Sequence, residues 1–163
     1  MNGHQFRYKG NLKPYDKIHL SEGDFREIFV DSFNKDSCRY EIFRNFSSYN
    51  QDFKKFISKD FKLWVNGSFV TKKVNPRDID FLIIVDYEIY QLKTSIIKSQ
   101  FIKNTSLKKY KLDAYLLVEY PKNHELYKQV QLDLAYWRDW FTKTRLSRNR
   151  KRHPKGFIEL IFK

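Results

Sequence analysis

The residues best suited to chemistry lie near the middle of the chain. Gly67-Ser68 follows the apolar stretch Leu63-Trp64-Val65, and after nine intervening residues Asp78-Ile79-Asp80 leads into Phe81-Leu82-Ile83-Ile84-Val85. Side chains in a strand alternate, so Asp78 and Asp80 are expected on one face, roughly 6–7 Å apart. Carboxylates so placed repel; at an effective dielectric near 20, unit charges about 4 Å apart cost roughly 4 kcal/mol. A divalent cation reverses that sign, and Mg²⁺ favours carboxylate oxygens shared with substrate phosphates. Gly67 lets phosphate approach the main chain. Ser68 offers a hydroxyl, and the turn after it offers N–H groups to an anion. Asp113, early in Leu112-Asp113-Ala114-Tyr115-Leu116-Leu117-Val118, has apolar neighbours and so calls for a partner or a metal. If its strand lies beside that of Asp80, the three acids make a two-metal centre. One metal would hold a triphosphate and the other would lower the pKa of an attacking hydroxyl. Taken singly, Asp78 reads as a cap or turn residue after Pro76, and Gly67-Ser68 as an ordinary turn. The conjunction, bracketed by apolar strands, carries the reading.

The elements that must position these residues follow from hydrophobic patterning. Residues 1–20, with Pro14, read as an irregular arm. Ser21 reads as a helix N-cap with Asp24 at the capping-box position, opening a short helix that buries Phe25, Ile28, Phe29 and Phe33. A second helix is expected over about 37–58, burying Ile42, Phe46, Tyr49, Phe53, Phe56 and Ile57. Residues 61–65 alternate like a strand; a short helix or turn then runs to about Lys73 and breaks at Asn75-Pro76. Ile79 to Val85 is continuously apolar, as in a strand covered on both faces. A helix is expected from Tyr87 to Ile102, with Ile89, Leu92, Ile96 and Phe101 inward, and a strand from Leu112 to Val118. A helix from Glu125 to Phe141 follows, with the stripe Leu126, Val130, Leu134, Trp137 and Phe141. The last strand is Gly156 to Phe162. This order predicts an α/β protein: about four strands with flanking helices and an N-terminal helical extension. The division is an N-terminal arm and helices (1–60) docked on a core (61–163).

Composition narrows the partners. The 163 residues carry 32 Lys+Arg against 19 Asp+Glu, a net charge of +13, which attracts polyanions. Gene composition bias explains scattered lysines as readily as a ligand does. It explains less well that five of the ten arginines fall between Arg138 and Arg152. Between Thr142 and Lys155 there are seven basic residues and no acid. Such a run is either a solvated loop or a phosphate contact, because guanidinium pairs bidentately with phosphate. Arg145, Arg148, Arg150 and Arg152 are the candidate nucleic-acid contacts. Lys155, just before the last strand, either places an ammonium near the phosphates or simply enters that strand.

Other chemistries lack support. Cys38 is the single cysteine, so a disulfide scaffold is excluded and a structural thiol is expected. His4, His19, His124 and His153 lack zinc spacing. There is no GxSxG elbow, no Walker lysine and no GxGxxG. No run approaches 18 apolar residues and the N-terminus has no apolar signal core, so a cytoplasmic protein without membrane partners is expected. In Tyr136-Trp137-Arg138-Asp139-Trp140-Phe141, Trp137 and Phe141 read as helix core, and Trp140 as a residue that either packs or stacks on a base.

Over about 61–118 the chain resembles the polymerase-beta-type nucleotidyltransferase superfamily. The likeness lies in Gly67-Ser68, the nine-residue spacing, Asp78-Ile79-Asp80 and Asp113. More loosely, Gly10-Asn11-Leu12, Gly67-Ser68-Phe69-Val70-Thr71 and His153-Pro154-Lys155-Gly156 look like a small, uncharacterised prokaryotic group of minimal nucleotidyltransferase-like proteins. The resemblance implies a nucleotidyltransferase fold with a mixed sheet and dependence on Mg²⁺ or Mn²⁺. It implies transfer of a nucleoside monophosphate from an NTP such as ATP, with release of pyrophosphate. By that resemblance Gly67 and Ser68 bind phosphate, Asp78 and Asp80 bind both metals, and Asp113 helps to activate the acceptor. Relatives act on tRNA ends, proteins, antibiotics or nucleotides, and some are toxins held by a cognate antitoxin. Many relatives use a long C-terminal helical domain to grip the acceptor, and by this reading the chain is expected to lack one.

Two other readings stand beside this one. The basic loop suits a non-catalytic RNA- or DNA-binding protein on a degenerate nucleotidyltransferase fold. Asp78-Ile79-Asp80 also suits the DxD of a glycosyltransferase, against which the small size and the short Gly-Ser spacing argue.

Overall fold

The computed structural model describes Phe6 and residues 10–163. The apolar runs read from sequence become the middle of a five-stranded mixed sheet. The strands are β1 (Lys17–Leu20), β2 (Phe61–Asn66), β3 (Asp80–Asp86), β4 (Asp113–Glu119) and β5 (Phe157–Phe162), in the order β1-β5-β2-β3-β4. β1 runs parallel to β5 and β3 parallel to β4, while β2 is antiparallel to both of its neighbours. The expected four strands are therefore five. Residues 17–20, read as part of an irregular arm, form an edge strand. Lys17-Ile18-His19-Leu20 is too short and too polar to signal one, and its pairing with β5, 140 residues away by register, supplies the ladder. Gly156 makes that approach possible: a Cβ there would stand 2.3 Å from the Pro14 carbonyl oxygen. Of the four histidines, His4 lies outside the described residues.

One face of the sheet is covered by α1 (Glu22–Arg26), with its π-helical continuation Glu27–Asp31, and by α2 (Arg39–Phe56). Ser21 caps α1 as expected, its hydroxyl oxygen accepting from Asp24 N at 3.0 Å. The layer is aromatic. Phe46 and Tyr49 meet Phe81 edge-on at 5.4 and 5.0 Å, and Phe53 stands 4.8 Å from Phe61. Rings of this size bury the most surface per side chain ordered. Phe56, expected inward, is exposed because it lies on the far side of the last turn of α2.

β3 passes straight into α3 (Tyr87–Ile96), capped by Asp86, whose carboxylate accepts from Glu88 N at 2.7 Å. A π-helical turn at Ile97–Phe101 and α4 (Lys103–Tyr110) complete the crossover to β4. Leu92, expected inward, is 83% exposed, and Ile97 and Phe101 are buried instead. The crossover puts β4 beside β3 with Asp80 opposite Asp113. α4 has no counterpart in the sequence reading. Its eight residues, KNTSLKKY, bury only Ser106 and Tyr110 and so carry no apolar stripe.

α5 (Tyr127–Phe141) lies on the other face. It buries Val130 and Phe141 against Trp64, Leu82, Ile84, Leu117 and Phe157; Leu126, expected on this stripe, is exposed.

The segment between β2 and β3 is held mainly by the start of α2, above all by Arg39. Arg39, fully buried, donates from Nη1 to the carbonyls of Phe29 and Phe69, both at 2.7 Å. Its Nη2 donates to Thr71 O at 2.7 Å and Lys73 O at 2.6 Å. Its guanidinium lies 3.8 Å from the Phe33 ring centre and 4.9 Å from that of Phe69. Burial lowers its pKa to about 10. Cys38 has the structural place expected of it, its thiol donating to Pro76 O at 2.9 Å. Replacing Arg39 with leucine strands four carbonyls, each costing about 1–3 kcal/mol when left unpaired. The expected outcome is a loss of at least about 3 kcal/mol in urea unfolding and faster hydrogen exchange within residues 69–74. Arg39→Lys recovers only part of this, since one ammonium cannot reach all four carbonyls.

Candidate functional site

The residues singled out in the sequence meet at one end of the sheet. β2 ends at Asn66, β3 begins at Asp80 and β4 begins at Asp113, and the register sets Asn66, Asp80 and Asp113 side by side. Alternation along each strand turns all three toward the α5 face. With Gly67, Ser68, Asp78, Tyr115, Arg145, Arg152 and Lys155, Asn66 and Asp80 line a cleft of about 860 Å³ under the C-terminal half of α5.

Gly67 is required here twice over. Its φ is +78°, a left-handed conformation that glycine adopts without cost. A Cβ on it would also lie 2.1 Å from Asp80 Oδ2. The space a side chain would fill is thus taken by the Asp80 carboxylate. Asp80 is nearly buried, its side chain 14% exposed, and its pKa is raised, first by burial and then by the charge of Asp78, with Asp113 adding to it. Arg145, 3.6 Å away, pulls the other way, as does Lys155. Lys155 is itself buried, with Nζ donating to Gly67 O at 3.4 Å. Burial lowers its pKa to about 8 against the pull of Asp80. At neutral pH it is still mainly an ammonium.

Asp78 stands in the loop ahead of β3, not within the strand, so the strand-face geometry expected of the Asp78/Asp80 pair does not apply. Buried Ile79 separates the two, and both carboxylates still line the cleft. Asp113 Oδ2 accepts from the Tyr115 hydroxyl at 2.9 Å. Burial and that hydrogen bond push the Tyr115 pKa up to about 12. Asn66 is buried, and among the described residues its Oδ1 has no hydrogen-bond partner, so an acceptor is available beside Asp80.

The basic loop divides. Lys143, Arg145, Arg152 and Lys155 line the cleft. Arg148 and Arg150 are exposed in the turn around Ser147–Lys151 and are not among its lining residues. Four residues that sequence reasoning missed help to build the site: Asn66, Tyr115, Tyr136 and, behind it, Arg39. Of these, Asn66 alone carried a signal, a polar residue closing an apolar strand.

The donor set suits a hard cation. Carboxylates and an orphan amide oxygen converge where burial already disfavours a lone charge. Among the described residues, however, no three His, Cys, Asp or Glu side chains are close enough to cage a metal by themselves. That spacing suits Mg²⁺ held by one or two carboxylates and completed by substrate phosphates.

Sequence comparison assigns the chain over residues 4–161 to the family described as Family of unknown function (DUF6932). The chain belongs to that family. The DUF6932 description carries no activity, so the function must be argued from the cleft. No curated protein and no solved structure matches the chain. Among the described residues no helix is long and apolar enough to cross a membrane.

Two outcomes check the site. Gly67→Ala displaces Asp80 and forces a positive φ on alanine, so it costs at least about 1 kcal/mol in chemical unfolding. Asp80→Asn removes a buried charge whose raised pKa makes it a liability above that pKa. The wild type, without metal, gains stability as pH falls through the raised value, and the asparagine variant does not. At neutral pH without metal, Asp80→Asn should raise the melting temperature by a few degrees, about 2–4 °C per kcal/mol. Added Mg²⁺ should raise that of the wild type alone.

Proposed function

We propose that the chain is a metal-dependent nucleotidyltransferase that moves a nucleoside monophosphate from an NTP to an acceptor hydroxyl. The nucleotidyltransferase fold is part of this proposal. The observation that carries it is Asp80 lodged in the Cβ space of Gly67, with Asp78, Asp113 and Lys155 around the same cleft end. Asp80 with Asp78 or Asp113, at most two carboxylates to one ion and the substrate phosphates completing its shell, would hold Mg²⁺ or Mn²⁺, which would polarise the α-phosphate and acidify the attacking hydroxyl. The glycine main chain and the Ser68 hydroxyl receive the phosphates. Lys155 neutralises charge as pyrophosphate departs. The acceptor oxygen bonds to the α-phosphorus, the bond to the bridging oxygen breaks, and the acceptor proton passes to Asp113 Oδ1. Tyr115, donating to Oδ2, holds that carboxylate in place.

A second reading, nucleic-acid binding without transfer, draws on the Arg145–Asp80 ion pair, which gives one acid a cation within the chain. The identity of the acceptor, and a role as a toxin with an antitoxin partner, rest on the resemblance alone.

The test is transfer of label from α-phosphate-labelled NTPs, with Mg²⁺, to RNA, protein and small-molecule acceptors. γ-Labelled NTPs should transfer nothing. Asp78→Asn/Asp80→Asn should lower transfer by at least about a hundredfold, on the scale of losing a main electrostatic group. Equal transfer by the double variant overturns the assignment.

A further inference from the structure

The C-terminal half of α5 carries aromatic surface that the core does not use. Tyr136 is 61% exposed and Trp140 43%, and both line the cleft. They stand four residues apart, one helical turn, so their rings lie along one stripe. The ring planes are 24° apart, with centres 6.3 Å apart. Single exposed aromatics need no explanation; two side by side in a cleft do. α5 already docks through Val130 and Phe141, with Leu134 and Trp137 partly buried beside them. Trp137 lies 5.2 Å from Tyr115, which in turn holds Asp113. The stripe therefore adjoins the carboxylates.

Charge identifies what such a surface takes. The Arg152 guanidinium lies 5.1 Å from the Trp140 ring centre, so the ring already accepts a flat cationic group on its face. Arg145 and Lys143 stand on the same cleft wall. Exposed aromatic rings combined with arginines make a platform for a base and a seat for its phosphate. An apolar protein partner would not call for three cations, and a phosphate alone would not call for two rings.

We propose that Tyr136 and Trp140 form a stacking subsite for a nucleobase whose phosphate is held by Arg145 and Arg152. The proposal deepens the transferase reading, on which it rests for the placement of the reacting phosphate. A free nucleotide and a single strand present the same chemistry here, and the experiment separates them.

The experiment measures binding at near-physiological salt to a labelled single-stranded RNA of about twelve nucleotides, within the usual site size. Its comparators are an abasic strand of the same length, ATP, and a poly-glutamate peptide of equal charge. The proteins are the wild type, Tyr136→Ala/Trp140→Ala, Trp140→Phe and Asp78→Asn/Asp80→Asn, each checked for a cooperative thermal transition. The alanine pair should bind its base-bearing ligand at least about tenfold more weakly, in line with stacking energies per base. Its affinity for the abasic strand should be unchanged, and Trp140→Phe should retain most binding. A tenfold loss for ATP identifies a mononucleotide; a loss confined to RNA identifies a strand. The aspartate pair is read for transfer alone and the alanine pair for base-dependent binding, so failure of transfer and failure of stacking remain distinct. Full binding by the alanine pair, equal binding of the abasic strand or the acidic peptide, or no binding of any base-bearing ligand overturns the proposal.

Discussion

A buried guanidinium that meets no carboxylate among the described residues organises this protein. Arg39 reaches from the first turn of α2 to four carbonyls on two other stretches of chain, and two aromatic rings enclose it. A charge taken out of water is tolerated only when its donors are satisfied. Here satisfaction means drawing residues 69–73 into a tight arc. That arc leaves β2 at Gly67 and returns at Asp78, so the geometry of the cleft depends on a residue behind the sheet. The helical layer and the chemistry on the opposite face are coupled through this one group.

The cleft has a second electrostatic theme. Arg145 sits at the edge of ion-pairing distance from Asp80, and Lys155 beside it has its pKa lowered by burial. Lys73, Arg77, Lys143 and Arg152 line the cleft around them, in a protein whose net charge is +13. Basic groups ring a small acidic centre. A polyanion is drawn to the surface but meets the carboxylates favourably only if further positive charge comes with it. Binding sites for metal–phosphate ligands have this pattern, in which neither component is held well alone.

How much of this was legible in the sequence depended on whether a residue acts with its neighbours or across the fold. Phe81 to Val85 announced a buried strand because every position is apolar, and Gly67 with Asp80 stood out because both occur at a fixed spacing from such strands. The adjacency of Asp113 was stated as a condition, and the β3–β4 register meets it. Arg39 carried no signal, since a buried arginine looks like a surface one until its carbonyl partners are placed. α4 was invisible for lack of a stripe, and β1 because four residues cannot show a period. Leu92, Phe56 and Leu126 were assigned inward from spacing alone, whereas the π-helical turn at Ile97–Phe101 and the ends of the helices rotate the apolar arc away. Arg148 and Arg150 belonged to the same basic run as Arg145 and Arg152, and only the turn at Ser147 separates them from the cleft.

The strand order has a consequence for how the protein is made. β5, the last strand in chain order, is inserted between β1 and β2. While a ribosome is still extending the chain, β1 therefore has no ladder partner and β2 presents a bare edge, a state prone to wrong pairing. Closure waits for contacts between the most distant parts of the sequence, the slow kind to form. Lys155 arrives at the cleft only with β5. The nascent polypeptide thus carries its acids without their buried ammonium until β5 has emerged. The charge pattern of the cleft is set in one step, as residues 155–162 close the sheet.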